Sequence, residues 1–278
     1  MIGYIVDVEF VWGYQCKLAS FTRGSSPYLY PPPTTFLGAL AESIARHRKI
    51  PERKGLEIID KLSSITLAIG LRPLNCFPMK INDLSRIISF KLTSGKKYPR
   101  PDENSFDASA MGRTILSTYD EEAPKIRWFI VFSTNEIDDI KITEEDFWRI
   151  HRIGSKESRV SVINMKKVKP EISDKPLTNY SFPLLKGVNI KEVIEERWET
   201  ECYIRPYKVK IYENDIMALK SIFNIKTPRK SSIEFTSKMC VFKVPILSSP
   251  FNPPEIKLDL NDWTIYRYEE EYVVGVEL

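Results

Sequence analysis

The 278-residue chain has only four cysteines, Cys16, Cys76, Cys202 and Cys240, far apart and never in a C-x-x-C pair. That spacing argues against a zinc ribbon and against a small disulfide scaffold, and it predicts reduced, mostly buried thiols. Histidine is scarcer, with His47 and His151 alone, so few imidazoles are on hand for acid–base work near neutral pH. No apolar run approaches the ~20 residues that cross a bilayer, and the opening MIGYIVDVEF is interrupted by Asp7 and Glu9, unlike a secretory signal. The chain therefore reads as cytoplasmic and soluble, without a membrane partner. Net charge is also small: 41 Lys and Arg against 37 Asp and Glu leave +4, too little by itself to announce nucleic-acid binding. No P-loop, no G-x-G-x-x-G after a strand, no H-E-x-x-H and no nucleophile elbow is present, so nothing supports a small-molecule enzyme or a bound cofactor. The acids have no histidine or cysteine company that would make a metal site.

What is present is regular. From Ile2 to Trp12 apolar residues fall on even positions, the period of a strand with one buried face. A Gly, Ser and Pro-rich loop follows to Pro33, after which Phe36, Leu37, Leu40, Ala41 and Ile44 recur at helical spacing, with Thr34 or Thr35 placed to cap and a basic Arg46–Lys49 end. Leu56, Ile59 and Leu62 mark a shorter amphipathic piece, and Ile65, Leu67, Ile69 and Leu71 alternate again. Prolines at 73, 78, 99, 101 and 124 break the rhythm and predict an inserted hairpin, with strands near 86–93 and 112–119. KIRWFIVFS at 125–133 reads as a central strand. Thr143 with Asp146 forms a capping box for a short helix running into Gly154, and Val160 and Val162 begin another strand.

The order is βαβ, insertion, βαβ. It predicts an α+β, ferredoxin-like domain of the type seen in RNA-recognition motifs, over residues 1–170, with a thumb hairpin at about 84–125. Past Pro170 short strand-like runs and one helical patch near 190–198 predict a separate β-rich part, 171–278.

Charge is segregated although its sum is bland. Arg152, Lys156, Arg159, Lys166, Lys167 and Lys169 stand against Glu157 alone, whereas residues 134–147 hold six acids and one lysine. Between Arg86 and Arg113 six basic residues are interleaved with Phe90, Tyr98 and Phe106, the mixture that a single-strand binder uses for phosphate contact and base stacking, although a solvated hairpin would look the same. Two loops can approach phosphate. PYLYPPPTTFLGAL carries Tyr28 and Tyr30 into a helix start, and RIGSKES at 152–158 has Gly154 for close backbone approach with Ser155, Lys156 and Ser158 as donors.

Together, PPPTTFLGAL, RIGSKESRVSV and the closing YEEEYVVGVEL resemble the Cas-five family of RAMP proteins, with subtype A members nearest, including the Trp12–Gly13 pair; subtype D complexes carry a related subunit. The resemblance covers the first ~170 residues by motif position. It implies a non-catalytic subunit of a type I CRISPR Cascade effector that grips the 5′ handle of the crRNA and caps the backbone filament. Backbone subunits, the large subunit and nearby target DNA would be its partners, with sequence reading left to guide pairing. It implies that Tyr28, Tyr30, Thr34, Thr35, Arg152, Gly154, Ser155, Lys156, Ser158 and Arg159 serve the handle site, and that Arg86, Lys91, Lys96, Lys97, Tyr98, Arg100 and Arg113 belong to the thumb. The alternative within the superfamily is an endoribonuclease that processes precursor crRNA, for which His47 and His151 would be the natural proton-transfer groups.

Overall fold

Alternation from Ile2 onward folds as a strand, β1 (Ile2–Phe10), with Tyr4, Val6, Val8 and Phe10 fully buried on one face; the other face, expected to be open, is covered as well, with Ile5 and Asp7 buried. The computed structural model describes residues 1–16, 27–51, 54–86, 108–193, 197–206, 239–246 and 253–277. After β1 come the two-residue β2 (Gly13–Tyr14), α1 (Pro33–His47), α2 (Gly55–Ile65) and β3 (Thr66–Pro73). The hairpin arms β4 (Cys76–Arg86) and β5 (Ala108–Thr118) lead back to β6 (Lys125–Phe132). The small pair β7 (Glu136–Ile137) and β8 (Ile140–Lys141), then α3 (Glu144–Trp148), precede β9 (Val160–Val168). The remainder is β10 (Glu171–Ile172), β11 (Leu177–Thr178), β12 (Phe182–Leu184), β13 (Val188–Glu192), β14 (Trp198–Ile204), β15 (Met239–Pro245), β16 (Ile256–Leu260), β17 (Trp263–Tyr268) and β18 (Glu271–Val276).

The main sheet has seven strands in the order β10-β17-β18-β3-β6-β1-β9, antiparallel throughout. One face packs on the helices: Phe36, Leu37, Leu40 and Ile44 of α1 are fully buried, and Phe36 lies 4.6 Å from the Trp128 ring on β6. The ends of the sheet, β9 and β10, are separated in the chain by Lys169 and Pro170 alone, so the sheet curls until its edges meet. Lys166 of β9 reaches Glu269 across that seam at 2.8 Å. The second face is thereby filled by Ile5, Phe129, Val131, Val168, Tyr180, Tyr266 and Val273. An RNA base cannot stack there.

A polar row crosses this filled face. Asp7 of β1 is opposite Arg127 of β6, which is opposite Arg72 of β3. Arg127 donates to Asp7 at 2.6 and 2.8 Å and to Glu271 of β18 at 2.5 Å; Arg72 donates to Glu271 at 2.8 and 3.2 Å, and the Tyr180 hydroxyl donates to it at 2.7 Å. Burial alone would raise the Glu271 pKa, but the Arg72 and Arg127 charges and the Tyr180 bond outweigh it and hold the carboxyl below the ordinary glutamate range.

Three expectations are corrected here. The last strands are not a separate β-rich part, because β17 and β18 complete the sheet that β1 begins; strand pairing between distant segments is invisible to local pattern. The hairpin arms begin earlier than the prolines suggested, running in unbroken register from Cys76 opposite Thr118 to Arg86 opposite Ala108. The helical patch expected near 190–198 is strand at both its ends, where β13 pairs with β16 and β14 with β15, and residues 194–196 between them lie outside the described residues. Among the described residues no helix is long and apolar enough to cross a membrane.

The helix layer is locked by Asp146, the capping residue of α3. Its buried carboxylate accepts from Thr143 N–H at 2.8 Å and from Arg48 at 2.5 and 2.9 Å, and lies 3.0 Å from His47 Nδ1. Burial pushes its pKa up, yet the bonds from Arg48, His47 and Thr143 prevail and leave it lowered. Because the folded pKa values of Asp146 and Glu271 both lie below their unfolded values, their contribution is complete above about pH 4–5 and is lost as pH falls through the folded values. Melting temperature should therefore drop between pH 5 and 3, and Asp146→Asn should flatten that drop. Glu271→Ala, which strands buried Arg72, should cost about 3–5 kcal/mol at pH 7 in denaturant titration.

Candidate nucleic-acid interface

The proline run fixes where α1 starts. Pro32 is the N-cap with extended backbone, Pro33 occupies the first helical position where its missing N–H costs nothing, and Thr35 N–H donates to Pro32 O at 2.8 Å. Thr34 and Thr35 therefore lie inside the first turn and do not cap it, contrary to the expectation from the sequence. Both remain half-buried at the helix mouth.

The RIGSKES loop does not end a helix either. α3 stops at Trp148, capped by Arg149, and Gly154 sits in a closed turn whose base is the Arg152–Arg159 bridge. Ile153 N–H donates to Ser158 O at 3.1 Å and Ser158 N–H to Ser155 O at 3.0 Å. Gly154 has φ +111°, and a Cβ there would lie 3.0 Å from Gln15 O and 3.1 Å from Ser158 Oγ. Glycine is thus required twice, by backbone conformation and by close approach.

What the loop approaches is the extended run after β1. Ser158 Oγ accepts from Gln15 N–H at 2.8 Å, Ser155 N–H donates to Gln15 O at 3.0 Å, and the Cys16 thiol lies 3.5 Å from Thr35 Oγ1. Trp12 Nε1 donates to Glu157 O at 3.2 Å. Gly13, at φ +150°, permits this path: a Cβ would fall 2.2 Å from Thr114 O on β5. Gln15 and Cys16 therefore tie the glycine loop to the start of α1, although more than a hundred residues separate the two motifs. A cleft of about 250 Å³ opens between them, lined by Thr35, Gly38, Ala39, Glu42, Arg152 and Gly154.

The remaining sequence candidates divide by exposure. The Lys156 side chain is 81% exposed and Arg159 is exposed, whereas Arg152 is half-buried in the cleft wall. Ser158 is fully buried and committed to Gln15, so it is a structural residue rather than a free donor. Tyr28 and Tyr30 are corrected likewise: at 3% and 0% exposure they belong to the core, with Tyr28 set edge-on to Tyr203 at 5.1 Å. Buried rings cannot stack on bases. Arg113 lies half-buried on β5, where its charge, after the Ser155 bond and Lys156, helps hold Glu157 below the usual glutamate range. Lys91, Lys96, Lys97, Tyr98 and Arg100 lie outside the described residues, as does the Arg86 side chain at the end of β4.

Sequence reasoning missed Glu201. Buried on β14, its carboxylate accepts from Leu29 N–H at 2.8 Å, from Lys80 of the hairpin at 2.8 Å and from the Tyr203 hydroxyl at 2.7 Å. Tyr28 O in turn accepts from Thr114 Oγ1 at 2.5 Å and from the Tyr14 hydroxyl. Burial, followed by the nearby Glu201 charge, holds the Tyr14 and Tyr203 phenols well above their ordinary pKa. Two of the three partners of Glu201, Lys80 and Leu29, lie 121 and 172 positions away in sequence, so no local signal could have found the site.

These contacts set two expectations. Gly154→Val should lower the melting temperature by several degrees, through forced backbone strain and a clash with Gln15. Lys156→Ala, exposed and among the described residues paired only with Glu157 at 3.9 Å, should leave it unchanged. Thermal unfolding of the two variants separates a conformational glycine from a solvent-facing charge.

The chain matches no family model. It is 24% identical over 238 residues, covering 83% of its own length and 84% of the other, to CRISPR-associated protein Cas5 2 of Saccharolobus solfataricus. Its structure matches the crystal structure of a CRISPR protein from Archaeoglobus fulgidus with a TM-score of 0.71 and 38% identity over 100% of both chains. At that identity and coverage, the chain belongs to the CRISPR-associated proteins.

Proposed function

We propose that this protein is a Cas-five-type subunit of a type I Cascade complex, subtype A by motif, and that it binds the 5′ handle of the crRNA without cleaving it. One observation carries the reading: the start of α1 and the glycine loop, the two motifs that suggested the family, converge on one cleft through Gln15 and Cys16. Half-buried Arg152 lines it, and Lys156 and Arg159 are exposed on the same loop. The order β9-β1-β6-β3 within the main sheet, with α1 and α2 in the first crossover and α3 in the second, supports reading this part as a ferredoxin-like RAMP domain. With the second sheet face filled, the cleft and the β4–β5 hairpin are the surfaces left for RNA. The hairpin would act as the thumb, held at its base by Lys80 on Glu201.

The protein's own residues supply binding and placement. The glycine loop presents Lys156 as a point charge, suited to phosphate and not to base identity. In this reading the subunit caps the backbone filament and meets the large subunit beside target DNA. His47 is engaged with Asp146, and His151 lies 3.2 Å from Arg46 and 3.8 Å from Glu42; helix-end partners of this kind have no need of a proton-transfer role.

Lys156→Ala should weaken binding of single-stranded handle RNA and reduce the slope of log affinity against log salt by about 0.7, one phosphate contact. Titration at several salt concentrations reads this, and an unchanged slope in the folded variant contradicts the site. Replacing His47 and His151 together with Ala should leave crRNA length in the assembled complex unchanged. Accumulated precursor on a gel would instead favour the endoribonuclease.

A further inference from the structure

We propose that the cleft between α1 and the glycine loop is a pocket for a single RNA base, and that Glu42 reads that base with a preference for guanine; this rests on the RNA-binding reading above. The 250 Å³ cleft continues into a second one, of about 460 Å³, between α1 and α2, and the two share Gly38, Glu42 and Arg152. The larger falls within the scale of small-ligand pockets, about 300–1,000 Å³, and the smaller just below it, a size that suits one base. Ala41, Ala45 and Ile59 give the second cleft apolar walls that accept the face of a base, and Arg46 joins Arg152 in its lining, guanidinium planes that can stack on a base or meet its phosphate.

Gly38 is the first sign of an occupant. It lies in the interior of α1, where glycine is less favourable than alanine. Among the described residues, a Cβ at Gly38 would meet Ile59 Cδ1 alone, at 4.0 Å. Gly13, by contrast, is forced by a backbone oxygen 2.2 Å from its would-be Cβ. The missing side chain at 38 keeps the floor of both clefts open.

Glu42 is the second sign. A carboxylate in a cleft for a polyanion repels phosphate, so it fits only where the RNA presents hydrogen-bond donors. Its partners leave it acceptor capacity: Arg46 donates to one oxygen at 3.3 Å, and His151 Nδ1 stands 3.8 Å from the other. The Watson–Crick edge of guanine offers two adjacent donors, N1–H and N2–H, that match two carboxylate oxygens. Adenine and cytosine offer one amine beside a ring acceptor. Uracil offers one N–H between two carbonyls, which a carboxylate repels. Glu42 therefore ranks guanine first and uracil last.

The test uses the full chain and four fluorescent RNA octamers: oligouridine, and oligouridine with one internal guanine, adenine or cytosine. Anisotropy titration should give at least about fivefold tighter binding to the guanine octamer than to oligouridine, the lower end of what one bidentate base contact provides. Glu42→Gln should erase that preference. Gly38→Leu, checked by thermal unfolding to be folded, should bring the guanine octamer down to the oligouridine level. Equal affinity for all four octamers overturns the base pocket and leaves the RNA-binding reading standing, whereas no binding to any octamer overturns both. A guanine preference that survives in Glu42→Gln overturns the role of Glu42.

Discussion

The buried carboxylate of Glu201 is the point on which three distant parts of the chain depend. It holds the proline loop through Leu29 N–H, the hairpin through Lys80, and its own strand through Tyr203. A charge taken out of water is tolerated only when its lone pairs are filled, and here one ammonium, one amide and one hydroxyl fill them. The proline loop then delivers α1 with its N-terminus facing the cleft, and β5 reinforces the same loop through Thr114 on Tyr28 O. The C-terminal part of the chain is thus a brace for the candidate site rather than a module beside it.

The second constraint is the curl of the main sheet. In an open ferredoxin-like sheet the face away from the helices is available to ligands. Here β17 and β18 continue the sheet, β10 closes it, and Tyr180 and Val273 fill the enclosed face. The Asp7–Arg127–Arg72–Glu271 row crosses that face as paired charges, an arrangement that secures strand register, since one paired charge left unmatched would be costly. Closing this face shifts any nucleic-acid role to the helix side and the hairpin.

The half of the chain up to β9 was largely legible because its elements are strongly periodic. The alternation in β1, the 3.6-residue spacing of Phe36, Leu37, Leu40 and Ile44, and the Thr143–Asp146 box all depend on neighbours within one element. Details set by tertiary contact were not legible. Tyr28 and Tyr30 look like exposed stacking residues in a proline loop until Tyr203 and Thr114 bury them, and Ser158 looks like a free donor until Gln15 N–H claims it. Gly154 reads as a helix terminator, but its conformation serves the approach of the strand extension. Of the site, the cleft-lining Thr35, Arg152 and Gly154 were anticipated, while Gly38, Glu42 and the tether of Gln15 and Cys16 were not, because ordinary residues gain their meaning from what packs beside them.

The central claim is that RNA lies against α1 and the glycine loop and not on the sheet. Photocrosslinking answers it directly: RNA carrying 4-thiouridine at each handle position in turn, bound to the intact protein, with crosslinked peptides read by mass spectrometry. The account predicts crosslinks within residues 34–46 and 152–159. Crosslinks confined to β17, β18 or other parts of the main sheet, with those segments empty, would contradict it.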